Sequence, residues 1–472
     1  MTNKQTRRRF LTTAGLATGV GLAGCTRGGT SSGSNSSGNS STTSPSSRLD
    51  PSAYRDANID WRAHEGTSIN LGAVQHDWVT NIRPYVSVFE ELTGIDVVWS
   101  ILPEQQFRTK RLTDVSTGAG NFDLFFMDQV VNQFARAGWL ENLDPYFNSD
   151  TLFDEDWYGT QDLLQVCRQA AHGAGRQPYW TGLPITVEVQ TMFYREDLYE
   201  KHGLSVPKTT DQFLRNAKAI HENESDVVGV VNRGQKGYGM NIYTMDPWIR
   251  EFGGQLWESY PNDSGLDTET AMKAGRFYVD TLQQYGSASA ATMEWSQVVA
   301  TMQQGGAGHI LNDANLFWGS LSDPSSSQVA DDIAIAKMPV PKGKNTSFVP
   351  GAFVWQLSTS PVAANPEAAF LFMIWATAKP TQRAMAIQGS ASFPVRRSVW
   401  EADPYRQKYG QNFADVSLQS LQSAKIEPFD PQYPVWGQKY SIQLQQAIAG
   451  NKSVESAFEK AAQQAELTAG SG

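Results

Sequence analysis

Cysteine is nearly absent from this 472-residue chain: there are two, Cys25 and Cys167. Cys25 falls in an N-terminal leader, so Cys167 has no disulfide partner and no disulfide framework is expected. Cys167 itself reads as a small buried hydrophobe in a helix. Neither CxxC nor HExxH occurs, and the six histidines at 64, 76, 172, 202, 221 and 309 are scattered. No metal ligand set and no cofactor are therefore expected. A nucleophile motif is missing too, which weighs against an enzyme. Positive charge is scarce outside the leader. Residues 1–24 hold Lys4, Arg7, Arg8 and Arg9 and no acid, which leaves the remainder at −14. Without a basic stripe, nucleic acid is not an expected partner. Long apolar runs are lacking as well: Ala14–Ala23 is too short to span a bilayer. No internal repeat is found.

The chain is long enough for two or more domains. Aromatics reach 11%, with 14 Trp. Such residues serve packing, and they also offer flat apolar area to the face of a sugar ring.

The N-terminus carries three features in order. Thr6-Arg7-Arg8-Arg9-Phe10-Leu11 resembles a twin-arginine export signal, a moderately apolar run follows, and Leu22-Ala23-Gly24-Cys25 resembles a lipobox. The last resemblance implies that Cys25 becomes a lipidated first residue. Arg27 to Ser47 is Gly/Ser/Thr/Asn-rich and cannot bury apolar surface, so a disordered tether is expected. A coil of that length reaches roughly 25 Å r.m.s..

Past the tether, Ser68–Val74 reads as a strand. Trp78, Ile82, Val86, Phe89 and Leu92 recur at spacings of 4, 4, 3 and 3, a helix face. Ile95–Ile101 is the next strand, so a parallel βαβ unit is expected. Phe122–Met127 is a third strand, ending at Asp128. Gly182-Leu-Pro is a turn, and Ile185–Tyr194 a strand with Glu188 in its middle, where a charge needs a partner. Helices are expected at Asp197–His202, stopped by Gly203, and at Gln212–His221, capped by Thr209. Gly237–Tyr243 reads as a short strand, and a helix opens at Asp246. Thr301–Asn312 is a helix end, a glycine turn and a strand. Helices at Pro366–Thr377 and Pro380–Ile387 and two near the C-terminus complete the pattern.

Several phrases stand in a familiar order. Asp123-Leu-Phe-Phe-Met-Asp128 precedes Ala137-Gly-Trp-Leu-Glu141. Next come the Leu-Pro turn and Phe193-Tyr-Arg-Glu-Asp-Leu198, then Asp246-Pro-Trp-Ile-Arg-Glu-Phe-Gly-Gly254. The glycine turn before Asn312, Pro350-Gly-Ala-Phe-Val-Trp355 and Ser392-Phe-Pro-Val-Arg396 follow. Together they cover roughly residues 67–467. The chain resembles the extracellular solute-binding proteins of ABC importers, the broad family that includes maltose-binding protein.

That resemblance implies an α/β, two-lobe periplasmic-binding-protein-like fold of type II. A ligand cleft would lie between lobes joined by a multi-strand hinge. The expected segments are 1–25 for the signal, 26–60 for the tether, 61–185 with 351–395 for lobe one, and 186–350 with 396–470 for lobe two. Chain crossings are expected near Pro184–Glu188, Pro350–Phe353 and Ser392–Arg396.

Candidate ligand residues come from two arguments. Ligands of open α/β sheets sit beyond the carboxyl ends of strands. That selects Gln75, His76, Asp77, Glu104, Asp128 and Gln129, though Asp77 and Asp128 could equally cap helices. The resemblance adds Glu188, Tyr243, Asp246, Trp248, Asn312 and Asp313 as cleft-facing, and Trp436 as a stacking ring. It also favours Asp128 for binding ligand hydroxyls. Gly351 would allow close backbone approach to a ligand, and Arg396 would clamp a ligand or tie the lobes. Trp355 reads as core. Ala314-Asn315 stands where maltose-binding protein has an aromatic, which weighs against a maltodextrin. These candidates are acidic, amide and aromatic, with no convergent Arg or Lys. The expected ligand is thus a neutral carbohydrate or polyol, delivered by a monomer to ABC permease subunits from a lipid anchor. The alternatives are a binder of another solute on the same fold, or an exported glycoside-acting enzyme.

Overall fold

The structure, a computed structural model, describes residues 49–237, 239–389, 393–426 and 430–470. The export signal, Cys25, the tether up to residue 48 and Ser392 lie outside the described residues. Nine strands are described: β1 Ser68–Val74, β2 Asp96–Leu102, β3 Leu124–Met127, β4 Leu183–Arg195, β5 Trp257–Ser259, β6 Asp263–Ser264, β7 His309–Ala314, β8 Ile333–Ala336 and β9 Ala352–Ser358. β5 and β6 form a separate hairpin. The other seven form one sheet in the order β2-β1-β3-β9-β4-β7, with β8 also on β4.

β1 pairs in parallel with both β2 and β3, as the βαβ pattern requires. β9 runs antiparallel between β3 and β4. β4 is the pivot. Its first half, Leu183 to Val189, pairs with Leu357 to Ala352 of β9. Its second half pairs with β7 from Gln190 to Tyr194 and with β8 from Met192 to Arg195. All thirteen residues of β4 are buried, including the polar Thr186, Glu188, Gln190, Thr191 and Arg195.

Two apolar cores flank this pivot. The larger gathers Ile69, Leu71, Phe89, Phe125, Phe126, Leu357 and the helix Pro366–Thr377, buried from Ala368 onward. The smaller gathers the helices Glu269–Tyr285, Tyr433–Ile448 and Val454–Ala469 with Trp248, Phe213 and Leu311. Within the segment 396–470, Val399, Trp400, Tyr405, Phe413 and Leu421 belong to the larger core, whereas Tyr433 onward belongs to the smaller.

Local signals hold where a single residue sets the geometry. Gly203 ends its helix at φ +61°. Thr209 and Gln212 form a reciprocal capping box. Cys167 is buried in Gln165–Ala171. Pro84 lies in a 3-10 turn, Arg83–Tyr85, that joins two short helices.

One element differs from its expected form. The end of the stretch read as a strand, Gly237–Tyr243, begins a helix instead, Asn241–Glu251, with Pro247 inside it. Pro247 has no N–H for the carbonyl of Tyr243, four residues back. Gln190 Nε2 donates to that carbonyl from β4. Asn312 Nδ2 donates to the next carbonyl, Thr244 O, at 2.7 Å. A tertiary pair of amides thus sustains the extra N-terminal turn of a helix expected to open only at Asp246.

Candidate functional site

A cavity of about 390 Å³ opens where the two halves meet across β4 and β9. Its floor is Glu188, in the middle of β4, beside Phe353 and Trp355 of β9. Gln75, His76 and Asp77 reach it from the end of β1. Glu104 and Arg108 come from the helix Glu104–Thr117. Arg233, Met240, Tyr243, Trp295 and Phe317 complete the lining.

His76 supplies the N-cap of the following helix: its Nδ1 accepts from Trp78 N at 3.0 Å. That leaves Nε2 as the donor, 3.7 Å from Glu188 Oε1. This is the partner that the mid-strand Glu188 required. Asp77, read as a possible cap, takes the first helical position instead.

Two arginines of the wall are each backed by a buried carboxylate. Arg108 Nη2 lies 2.7 Å from Glu104 Oε1 and 3.0 Å from Asp128 Oδ2. Arg233 forks onto Asp313, with Nε at 3.0 Å and Nη2 at 2.6 Å. Its Nη1 donates to Gly239 O at 2.8 Å. The guanidinium of Arg233 stacks over Tyr243 at 4.7 Å and Phe317 at 5.6 Å. Trp295, 42% exposed, lies nearly parallel to Phe317 with ring centroids 6.4 Å apart.

The hydroxyl of Tyr243 is buried and finds no hydrogen-bond partner among the described residues. Burial first, and the charge of Glu188 second, push its phenol well above the ordinary tyrosine value. It therefore stays protonated and available as a donor. The wall combines apolar rings with carboxylates, guanidiniums and a phenol, a set suited to clasping hydroxyl groups around an apolar carbon skeleton.

Six of the fifteen expected ligand residues line this cavity: Gln75, His76, Asp77, Glu104, Glu188 and Tyr243. The other nine lie elsewhere, for identifiable reasons. Asp128 stands behind Arg108, and Arg111 also reaches it at 3.5 Å. Gln129 is buried next to it in the chain, away from the cavity lining. Asp313 stands behind Arg233 in the same way. Asn312 anchors the proline-broken helix. Gly351 approaches Gln190: its N–H donates to Gln190 Oε1 at 2.8 Å, and a Cβ there would sit 2.7 Å from that oxygen.

Asp246 is buried one helical turn beyond Tyr243 and borders a different cavity, with Arg250, Trp257 and Asp430. Trp248 is core, its ring 4.6 Å from Phe277 and 5.0 Å from Phe348. Arg396 is fully buried: it donates to Thr377 O and Gly159 O, pairs with Asp162 and stacks on Tyr158. Trp436 is also fully buried, against Trp257 and Tyr433, with Nε1 on Asp430 at 2.9 Å.

Arg108, Arg233, Trp295, Phe317 and Phe353 escaped the sequence argument, and Trp355 was assigned to the core. Trp355 is only 5% exposed yet borders the cavity, so it serves both roles. Arg108 stands four residues after Glu104 on one helix face, a spacing that could have flagged it. Nothing local marks Arg233.

Comparison with known proteins gives the family and the fold. The sequence model of the bacterial extracellular solute-binding protein family matches residues 74–383. The chain is 27% identical over 379 residues to the mannitol-binding protein of Pseudomonas aeruginosa, covering 78% of this chain and 82% of that one. It is 23% identical over 409 residues to the erythritol/L-threitol-binding protein of Mycolicibacterium smegmatis, covering 83% and 84%. The crystal structure of an ABC transporter solute-binding protein from Agrobacterium vitis S4, with bound D-mannitol, aligns at a TM-score of 0.73 and 26% identity. That alignment covers 85% of this chain and 98% of the other. The architecture is the α/β periplasmic-binding-protein fold. On the family match, which spans well over half of its length, this chain belongs to the bacterial extracellular solute-binding protein family.

Proposed function

We propose that the protein captures a neutral sugar or polyol in the cavity over Glu188 and delivers it to an ABC import permease. The observation that carries this reading is the composition of the cavity wall. Aromatic faces from Trp295 and Phe317 stand with hydroxyl-binding groups from Glu188, Tyr243, Arg108 and Arg233. The two polyol-binding relatives and the mannitol-bound structure support it. Residues from both halves contact one ligand, so the ligand favours the closed arrangement and β4 and β9 act as the hinge.

The ligand is identified by thermal shift against a panel of alditols, aldoses and short oligosaccharides. A true ligand at ~100 times its dissociation constant adds about 2.7 kcal/mol to the native state. Trp295→Ala removes a half-exposed ring and weakens that ligand by about 30-fold, with little change in the unliganded melting temperature. A panel without any shift would refute the assignment.

Cys25 anchors the protein to the outer face of the membrane through a lipid, after export directed by Arg7 and Arg8. The Leu22-Ala23-Gly24-Cys25 motif supports this. Cys25→Ser should move the protein from the membrane fraction to the soluble extracellular fraction. A wild-type protein without lipid by mass spectrometry would count against the anchor.

A further inference from the structure

Charge as well as shape sets what the cavity accepts. Its border carries Asp77, Glu104 and Glu188 against Arg108 and Arg233. Both guanidiniums are already engaged from behind. Asp128 and Glu104 hold Arg108, and Asp313 holds Arg233 through two bonds. They offer a ligand N–H groups without uncompensated positive charge. Arg111 shares Asp128 with Arg108, so five carboxylates face three guanidiniums in and behind the wall.

Glu188 differs from the other acids. Its side chain is 11% exposed, and its ion-pair neighbour is His76 Nε2 at 3.7 Å. The guanidinium whose charge it feels, that of Arg233, is already forked onto Asp313. Glu188 occupies the middle of a strand buried at every position, where the effective dielectric is low and like charges repel strongly.

We propose that Glu188 is the charge filter of the cleft, admitting neutral polyols and their amino-substituted analogues and barring aldonates and sugar phosphates of the same carbon skeleton. This rests on the reading of the cavity as a polyol or sugar site and extends it to a class of ligand. A carboxylate accepts from a hydroxyl or an ammonium with equal geometry, so exchanging one for the other keeps the bond. Replacing the hydroxyl by a carboxylate sets two anions against each other in a water-poor cavity.

The test uses three near-isosteric probes: D-glucitol, 1-amino-1-deoxy-D-glucitol and D-gluconate. They are measured by calorimetry on the intact protein and on Glu188→Gln. In the wild type, gluconate should bind about 100-fold more weakly than glucitol, and the amine at least as tightly as glucitol. Glu188→Gln should shrink the gluconate penalty by about 10-fold and abolish any preference for the amine. Gluconate binding as tightly as glucitol, or a penalty unchanged in Glu188→Gln, overturns the proposal.

If none of the three binds, this carbon skeleton is wrong, and the polyol reading itself is decided by the full panel. The filter is then read without a ligand, from fluorescence quenching of Trp295 isolated by difference against Trp295→Phe. Caesium should quench this ring more than iodide, and Glu188→Gln should shift the ratio toward iodide. An unchanged ratio refutes the filter on its own.

Discussion

Replacing Asp128 by alanine should cost the protein about 3–5 kcal/mol of stability, because it strands buried positive charge. Asp128 is 3% exposed, with Arg108 Nη2 at 3.0 Å and Arg111 Nη2 at 3.5 Å. Arg111 is itself 2% exposed, donates to Phe126 O at 2.6 Å and lies between the rings of Phe107 and Phe134. It has nowhere to go when its carboxylate is removed. Arg108 retains Glu104, so it turns outward and the cavity wall changes. Ligand affinity should fall as a consequence, although Asp128 does not line the cavity. Urea denaturation of the two proteins measures the loss. An Asp128→Ala protein of wild-type stability and reduced affinity would place the residue on the ligand instead.

The same residue gives a pH dependence of defined sign. Burial pushes the Asp128 carboxyl up, but Arg108 and Arg111 beside it outweigh burial and hold it below the ordinary carboxylate value. A depressed folded value means the unfolded chain binds the proton first. The contribution is thus complete above about pH 4 and lost as pH falls through the folded value. Asp128→Asn should be less stable at neutral pH, and its deficit should narrow in acid. A deficit constant from pH 7 to pH 2 would contradict the pairing.

Trp436→Ala should cost about 3–5 kcal/mol as well, by opening a cavity in the smaller core. The ring is fully buried, with Trp257 edge-on at 5.4 Å and Tyr433 at 5.2 Å. Its Nε1 donates to Asp430 Oδ1 at 2.9 Å. Burial pushes the Asp430 carboxyl up, and loss of the indole donor would push it further. Trp436→Phe, which keeps most of the volume, should cost less, on the order of the hydrogen bond to the carboxylate at about 1.5–3 kcal/mol. Neither variant should change ligand affinity under conditions where it remains folded. A selective loss of binding at unchanged stability would restore Trp436 as a stacking surface.

The helix Asn241–Glu251 shows why part of the fold was not legible in the chain. Gly237–Tyr243 reads as a strand with a helix opening only at Asp246, which puts Pro247 in a first turn rather than inside a helix. The helix persists because Gln190 and Asn312, 57 and 65 residues from Pro247 in the chain, donate to the carbonyls around the break. Such long-range amides leave no periodic trace. Arg233 is comparable. Nothing around it marks a site, and its place in the wall follows from a fork onto Asp313, 80 residues on.

Sequence by itself determined what depends on neighbours along the chain. The alternation of β1, helix and β2, the αL stop at Gly203, the box at Thr209 and the buried β4 all follow from local pattern. So does the group of polar residues at strand ends, because chain direction fixes which end of a parallel sheet is open. Tertiary structure alone decided which polar side chains face a ligand and which face each other. Asp128 and Glu188 are both acids buried at or near strands, and in the chain they look alike. One is held by two arginines of a neighbouring helix, whereas the other stands 3.7 Å from His76 and shares the cavity wall with Arg233, a guanidinium already paired with Asp313. Burying a charge is costly unless it is paired, so its partner, more than its identity, decides whether a carboxylate supports the fold or serves the ligand.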